Sequence, residues 1–302
     1  MAENQSKEKE KQTWVNETMP EPFCCCWNGD SETEPGDPDC GCGEELDIVK
    51  WRWEVPRRGP KWVDLYQDKK QVVFHPFYSS GTAIAKGNIG IKHNVHYYWE
   101  IKMLTQPYGT DIMVGLGTKD VADAVREYTT CLGGNGNSYG LSYTGAICQN
   151  AVVVDDCPGF CKGTIIGIMV DMFHGTLEFY LNRVPQGISF TDLRQHKMLF
   201  PMVCSTAAQS SMRLTYASSW TNSLLINAAK VLAASVTGQR FFKNMPPGLA
   251  RAYFFLIHIL NCSWGFILLK SFNILNRTFR KLKSGNRGIN ERCDNYYCTF
   301  NF

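Results

Sequence analysis

The stretch Gly163 to Cys204, GTIIGIMVDMFHGTLEFYLNRVPQGISFTDLRQHKMLFPMVC, places three strand signals in succession with almost no room for a helix. Ile165 to Val170 is a short apolar run that ends at Asp171, and Thr176 to Leu181 follows after the turn-forming Phe173-His174-Gly175. Two such runs around a tight turn predict an antiparallel hairpin. Asn182 to Gln186 turns the chain again into Gly187 to Phe190, and Leu199 to Cys204 supplies another strand. A meander of this kind buries one sheet face against a second sheet.

Working outward, strand signals recur from Val72 to Tyr216 with Gly, Asn and Ser punctuation, and only Val121 to Tyr128 offers a window that a helix could take. The run Gly133-Gly134-Asn135-Gly136-Asn137 reads as a hairpin loop. Trp51, Trp53 and Trp62 mark the entry to ordered structure, because tryptophans this dense need somewhere to bury their surface. One β domain is therefore expected over residues 48–217. After it the pattern changes. Thr221-Asn222-Ser223 offers helix caps, and Leu224 to Ala234 has high helix propensity with no Gly or Pro. Leu224, Ala228, Val231 and Leu232 share one face, Gly238 ends the run, and Leu249 to Leu260 reads as a second helix after Pro246-Pro247-Gly248.

The two ends of the chain differ in charge. Residues 1–47 hold 13 Asp and Glu against 3 Lys, with few aliphatic side chains, and are expected to be disordered; residues 270–302 hold 7 Lys and Arg against 2 acids. Solvated segments are the ordinary reading of both ends. The start of the chain carries no secretory signal, so a cytoplasmic or nuclear protein with reduced thiols is expected, and the sequons at Asn16, Asn261 and Asn276 carry no glycosylation message. Tyr253 to Leu269 is apolar but interrupted by His258, Asn261 and Gly265, which argues against a membrane span.

The order Tyr98-Trp99-Glu100-Ile101, Val114-Gly115-Leu116-Gly117-Thr118, Ser138-Tyr139-Gly140-Leu141, Gly175-Thr176-Leu177-Glu178-Phe179 and Phe200-Pro201-Met202-Val203 resembles the SPRY domain. Tyr108-Gly109-Thr110-Asp111 and Leu141 to Gly145 resemble in particular the SPRY domain-containing SOCS box family. The resemblance implies a mainly β protein: a bent antiparallel sandwich followed by a short helical SOCS box. It implies a substrate receptor that holds a peptide degron, often with paired Asn, between loops at one end. The matching positions are Pro76, Phe77, Tyr78, Thr110, Tyr128, Thr206, Ala207 and Ala208. Ordinary loop packing is the competing reading of Phe77, Tyr78 and Tyr128. Where relatives carry Arg-Pro and Val-Trp-Gly, this chain has Pro-Phe and Thr-Ala-Ala, so its peptide preference is its own.

For the helical part, the resemblance implies docking on Elongins B and C through Ser223, Leu224, Ala228 and Leu232, with Ala228 standing where the family has Cys. It implies recruitment of a cullin, cullin 5 in the family, with its RING subunit. Here Asn244-Met245-Pro246-Pro247 keeps the final Pro of the family's Leu-Pro-x-Pro but not its opening. An amphipathic helix that packs on the sandwich, in a scaffold that recruits no ligase, is the alternative.

No catalytic motif is present: no phosphate-binding Gly-Lys loop, no nucleophile elbow and no His-Glu-x-x-His, while the six histidines are scattered. Cys24-Cys25-Cys26 with Cys40 and Cys42 are only loosely compatible with a structural zinc site, and free thiols are the expectation. Neither an enzyme, a cofactor, a metal nor a nucleic-acid partner is expected.

Overall fold

The computed structural model describes residues 22–23, 40–44, 48–55, 61–122 and 124–221. The SOCS-box positions Ser223, Leu224, Ala228 and Leu232, the prolines Pro246 and Pro247, the second helix and the basic tail all lie outside them.

Among the described residues fifteen strands follow one another in chain order: β1 Trp53–Glu54, β2 Val63–Tyr66, β3 Gln71–Phe74, β4 Thr82–Gly87, β5 Val95–Met103, β6 Ile112–Gly117, β7 Ala124–Val125 and β8 Ser138–Ser142. The series continues with β9 Ala146–Gln149, β10 Val152–Asp156, β11 Ile165–Asp171, β12 Thr176–Leu181, β13 Val184–Phe190, β14 Phe200–Ser205 and β15 Ser211–Thr221. They form two antiparallel sheets, ordered β1-β4-β14-β6-β8-β9-β10, with β7 added to β4, and β13-β12-β11-β5-β15-β3-β2.

The hairpin expected around Phe173-His174-Gly175 is present. Asp171 pairs with Thr176 at its tip, and the Gly175 amide donates to the Asp171 carbonyl at 2.7 Å. The meander differs in one respect. β11, β12 and β13 share a sheet, whereas β14 crosses to the other and lies between β4 and β6. The apolar 200–205 run pairs on both sides there, which suits a strand buried between two neighbours. The Val121 to Tyr128 window holds strand β7, paired with Thr82 and Ala83, in place of a helix. β15 also runs past the expected boundary at 217, because Ser218 to Thr221 continue to pair with Tyr98 to Val95. The Gly133 to Asn137 run closes the long β6–β8 connection, with the Thr118 amide donating to the Asn137 carbonyl at 2.8 Å.

Alternation along β5 explains the layering. Tyr97, Trp99, Ile101 and Met103 enter the core between the sheets, while Tyr98, Glu100 and Lys102 point to the outer face. Trp51 packs edge-on against Trp53 and Trp99, with ring centroids 4.8 and 6.0 Å apart. Burying rings of this size between the sheets is worth several kcal/mol at about 25 cal/mol per Å² of apolar area.

The expectation of disorder up to residue 47 is corrected for the described part of that segment. Cys40 is buried, Glu44 bonds to Arg213 and Lys102, and the Phe23 amide donates to the Gly163 carbonyl at 3.0 Å. Charge pairing and backbone contacts, together with the buried Cys40, fix this strap to the outer face of the β11-β5-β15 sheet despite its low apolar content.

Candidate functional site

Four connections meet at one end of the sandwich: residues 75–81 after β3, 104–111 between β5 and β6, 126–131 after β7, and 206–210 between β14 and β15. Asp111 pins them from within. Its carboxylate accepts from Thr130 Oγ1 and Ser142 Oγ, each at 2.7 Å, and its backbone N–H donates to Thr206 Oγ1 at 3.0 Å. Thr206 returns both its hydroxyl and its amide to the Asp111 carbonyl at 3.0 Å. A buried carboxylate is tolerable when donors converge on it in this way, and removing any of them leaves a costly unpaired group.

The outer rim is tied by hydroxyls to carbonyls. Tyr128 Oη donates to the Ser79 carbonyl at 2.9 Å, Ser79 Oγ to that of Thr206 at 2.5 Å, Tyr108 Oη to that of Ala208 at 2.6 Å, and Tyr143 Oη to that of Gly109 at 3.0 Å. Tyr108 and Tyr128 are anchored at the polar tip with the ring half exposed, whereas the ring of Tyr143 packs against the core. Phe77 is 86% exposed, Tyr78 75%, and Tyr108 and Tyr128 about half. Gly81 lets the first loop fold back over β7: its φ is +136°, and a Cβ there would lie 2.2 Å from the Val125 carbonyl oxygen.

His75 sits beneath these loops with φ +47°. Its N–H donates to the Trp62 carbonyl at 2.6 Å, its Nε2 lies 3.1 Å from the Ser205 carbonyl, and its own carbonyl accepts from the Gln209 amide at 3.0 Å. Burial lowers its pKa below the ordinary imidazole value, against the opposing pull of the Ser205 and Gly81 carbonyls.

The expected site residues divide. Phe77, Tyr78, Thr110 and Tyr128 are exposed at the loop end, and Pro76 and Ala208 are half-buried there. Thr206 and Ala207 are buried, so they shape the loop from below and do not present side chains to a partner. Tyr108, Ser79 and Asp111 belong to the same cluster. Tyr108 and Asp111 lie in the very run that carried the family resemblance, so only their roles went unread. Tyr128 combines the packed hydroxyl of the first reading with a half-exposed ring.

A groove of about 680 Å³ lined by Lys92, Tyr97 and Trp220 lies at the opposite end of β5 and β15, where Thr221 pairs with Val95. Among the described residues no group of His, Cys, Asp and Glu could hold a metal ion, and Cys24 to Cys26 fall outside them. Burial raises the thiol pKa of Cys131, Cys148, Cys157 and Cys204, which leaves them protonated and unreactive near neutrality. Among the described residues no helix is long and apolar enough to cross a membrane.

Residues 96–218 match the SPRY domain family. The chain is 45% identical over 177 residues to SPRY domain-containing SOCS box protein 3 of Xenopus tropicalis, covering 58% of this chain and 48% of that protein. It is 30% identical over 139 residues to F-box/SPRY domain-containing protein 1 of Anopheles gambiae, covering 44% of this chain and 53% of that protein. The SPRY domain of human HERC1 superposes with a TM-score of 0.42 at 17% identity, over 52% of this chain and 95% of that one. The chain spans about half the length of the curated relatives it matches.

Proposed function

We propose that this chain, a member of the SPRY-domain family similar to the SPRY domain-containing SOCS box proteins, is a substrate receptor. Its loop end captures a short peptide degron, with Asn a candidate determinant, and the segment after Thr221 delivers the target to a ubiquitin ligase. The observation that carries the reading is the rim itself: four exposed aromatic residues, three of them tyrosines, two with hydroxyls already satisfied by loop carbonyls. Rigid aromatics offer contact area at little entropic cost, and recognition hot spots are enriched in them. The chain needs no chemistry of its own in this role. Tethering a target beside a loaded enzyme raises the effective concentration of the reacting groups.

In the proposed linkage, Ser223, Leu224, Ala228 and Leu232 dock on Elongins B and C, and Pro246 and Pro247 stand where the family meets its cullin, cullin 5, with its RING subunit. Cytoplasm or nucleus is the proposed location. Ala228 in place of the family's Cys leaves a void worth about 1 kcal/mol in that interface. It is the observation that favours the second reading, a peptide-binding scaffold that recruits no ligase. Leu224→Asp separates the two, since a carboxylate in an apolar pocket costs several kcal/mol. Wild-type chain is expected to co-purify with Elongin C and the variant to lose it while still binding peptide. Failure of the wild-type chain to retain Elongin C at all would favour the scaffold.

A further inference from the structure

β10 ends the eight-stranded sheet: it pairs with β9, and among the described residues no strand covers its other edge. All five of its residues are exposed, Val152 and Val153 at 58% and Val154 at 47%. Successive residues of a strand face opposite ways, so this edge is bare and apolar on both faces. Its main chain is open as well. Asn150 and Ala151, both at positive φ, make a two-residue turn closed by the flanking pair Gln149–Val152. In the next pair the bonds alternate, so Val153 turns its N–H and C=O away from Cys148 to the open side. The outer strand of the other sheet, β13, is blunted by Pro185 and Gly187, whereas β10 contains neither residue type. An exposed valine edge with free main-chain groups is a template for an added strand.

The edge leads to the loop end. β8 runs to it and brings Ser142 Oγ to Asp111, the Tyr143-Thr144-Gly145 turn follows, and β10 returns beside that turn, the Cys157 amide donating to the Gly145 carbonyl at 3.0 Å. Tyr143 Oη ties the same turn to Gly109 of the rim. From β6 to β10 there are three strand spacings, about 14 Å, the span of about four extended residues. Asp155 and Asp156 stand at this end of β10, exposed and with no cation paired to them among the described residues. Outward from the rim a peptide therefore meets aromatic rings, then two carboxylates, then a bare apolar edge. A second copy of the chain does not suit this edge, because five residues supply far less than the roughly 800 Å² per partner of a stable dimer. A bound peptide does, since it adds main-chain bonds and charge pairing to the contacts it already makes at the rim.

We propose that the free edge of β10 extends the peptide site, and that the target segment captured at the rim continues onto it as an added antiparallel strand. The inference rests on capture of a peptide at the rim and names the chemistry that flanks it. β10 runs towards the rim, so an antiparallel segment leaves the rim at its C-terminal side. After the rim-binding residues come about four spacer residues. Lys or Arg then faces Asp155 and Asp156, and β-branched residues lie beside the three valines. Antiparallel addition suits Val153, which offers both groups of one residue for exchange with a single partner residue.

Three synthetic peptides titrated against the full chain test this. The core is an Asn-containing peptide selected on the wild-type chain; the second is that core extended by Gly-Ser-Gly-Ser-Lys-Arg-Val-Thr-Val; the third carries Glu-Glu in place of Lys-Arg. The Lys-Arg extension is expected to tighten binding about tenfold over the core, and the Glu-Glu extension not at all. Asp155→Lys with Asp156→Lys should exchange the two preferences, a reversal that a merely structural role for the acids would not produce. Val153→Pro removes an outward-facing N–H that the sheet does not use, so melting temperature and core binding should hold while the gain from the extension disappears. Equal affinity of the core and Lys-Arg peptides, an equal gain from both extensions, or a gain that survives Val153→Pro overturns the proposal and leaves the rim reading standing. A core peptide whose binding ignores Tyr128→Ala removes the rim reading, and this one with it. Sedimentation of the wild-type chain as a dimer that Val153→Pro dissolves would give the edge to a second copy instead.

Discussion

The loop end and the strap face lie on the same sandwich and handle polar groups in opposite ways. At the loop end the carboxylate is buried and its hydrogen bonds are supplied locally: Asp111 accepts from Thr130 and Ser142, while the aromatic rings of Phe77, Tyr78, Tyr108 and Tyr128 face outward. At the strap face the aromatic side chains Tyr98, Tyr180 and Tyr216 are buried, and the cations Lys102 and Arg213 are satisfied by residues about sixty and about 170 positions away in the chain. The first arrangement leaves apolar surface unspent and polar groups content, which is what a recognition surface needs. The second leaves nothing unspent, so its contribution is to stability.

That contrast predicts unequal responses to mutation. The largest effect should fall on the strap. Glu44→Ala removes the carboxylate that bonds both Lys102 and Arg213, and taking one partner out of a buried ion pair costs about 3 kcal/mol or more. Urea unfolding of the variant should show that loss with peptide binding at the loop end retained; an unchanged midpoint would mean the strap only decorates the sheet. By the same logic a fragment beginning at residue 48 should be markedly less stable than one that keeps residues 22–44, which moves the start of the domain upstream of the tryptophans.

A smaller effect should appear with pH. The pKa of His75 is lowered in the folded chain, so the unfolded chain binds more protons between that value and the ordinary imidazole pKa of about 6.5. The stability this residue contributes is complete above about 6.5 and falls as pH drops towards the folded value. His75→Asn keeps a residue that tolerates the positive φ and removes the titration. Its melting temperature should fall less than that of the wild type between pH 7.5 and 5.5; parallel curves would exonerate His75.

The difference between the regions also explains what was legible in the sequence. The hairpin at Phe173-His174-Gly175 and the strand words of the SPRY pattern were readable because turn chemistry and apolar runs are local signals. The side of the sandwich that β14 joins was not, since nothing in 200–205 distinguishes one buried sheet from another. At the loop end the resemblance pointed to positions of which Phe77, Tyr78, Thr110 and Tyr128 are exposed, but the inward turn of Thr206 depends on Asp111, nearly a hundred residues away. The strap was invisible for the same reason. Glu44 read as solvated because its partners, Lys102 and Arg213, are long-range and look like ordinary alternating strand positions.

The central claim, that the exposed rim captures a peptide, is tested most directly by titrating a selected Asn-containing peptide against wild-type chain and Tyr128→Ala. The ring of Tyr128 is half exposed and contributes little to the core, so the account predicts affinity weakened by about 2 kcal/mol, some thirtyfold, with the melting temperature nearly unchanged. Unchanged affinity would place the site elsewhere, and a large fall in melting temperature would show that the Tyr128–Ser79 hydrogen bond serves the fold alone.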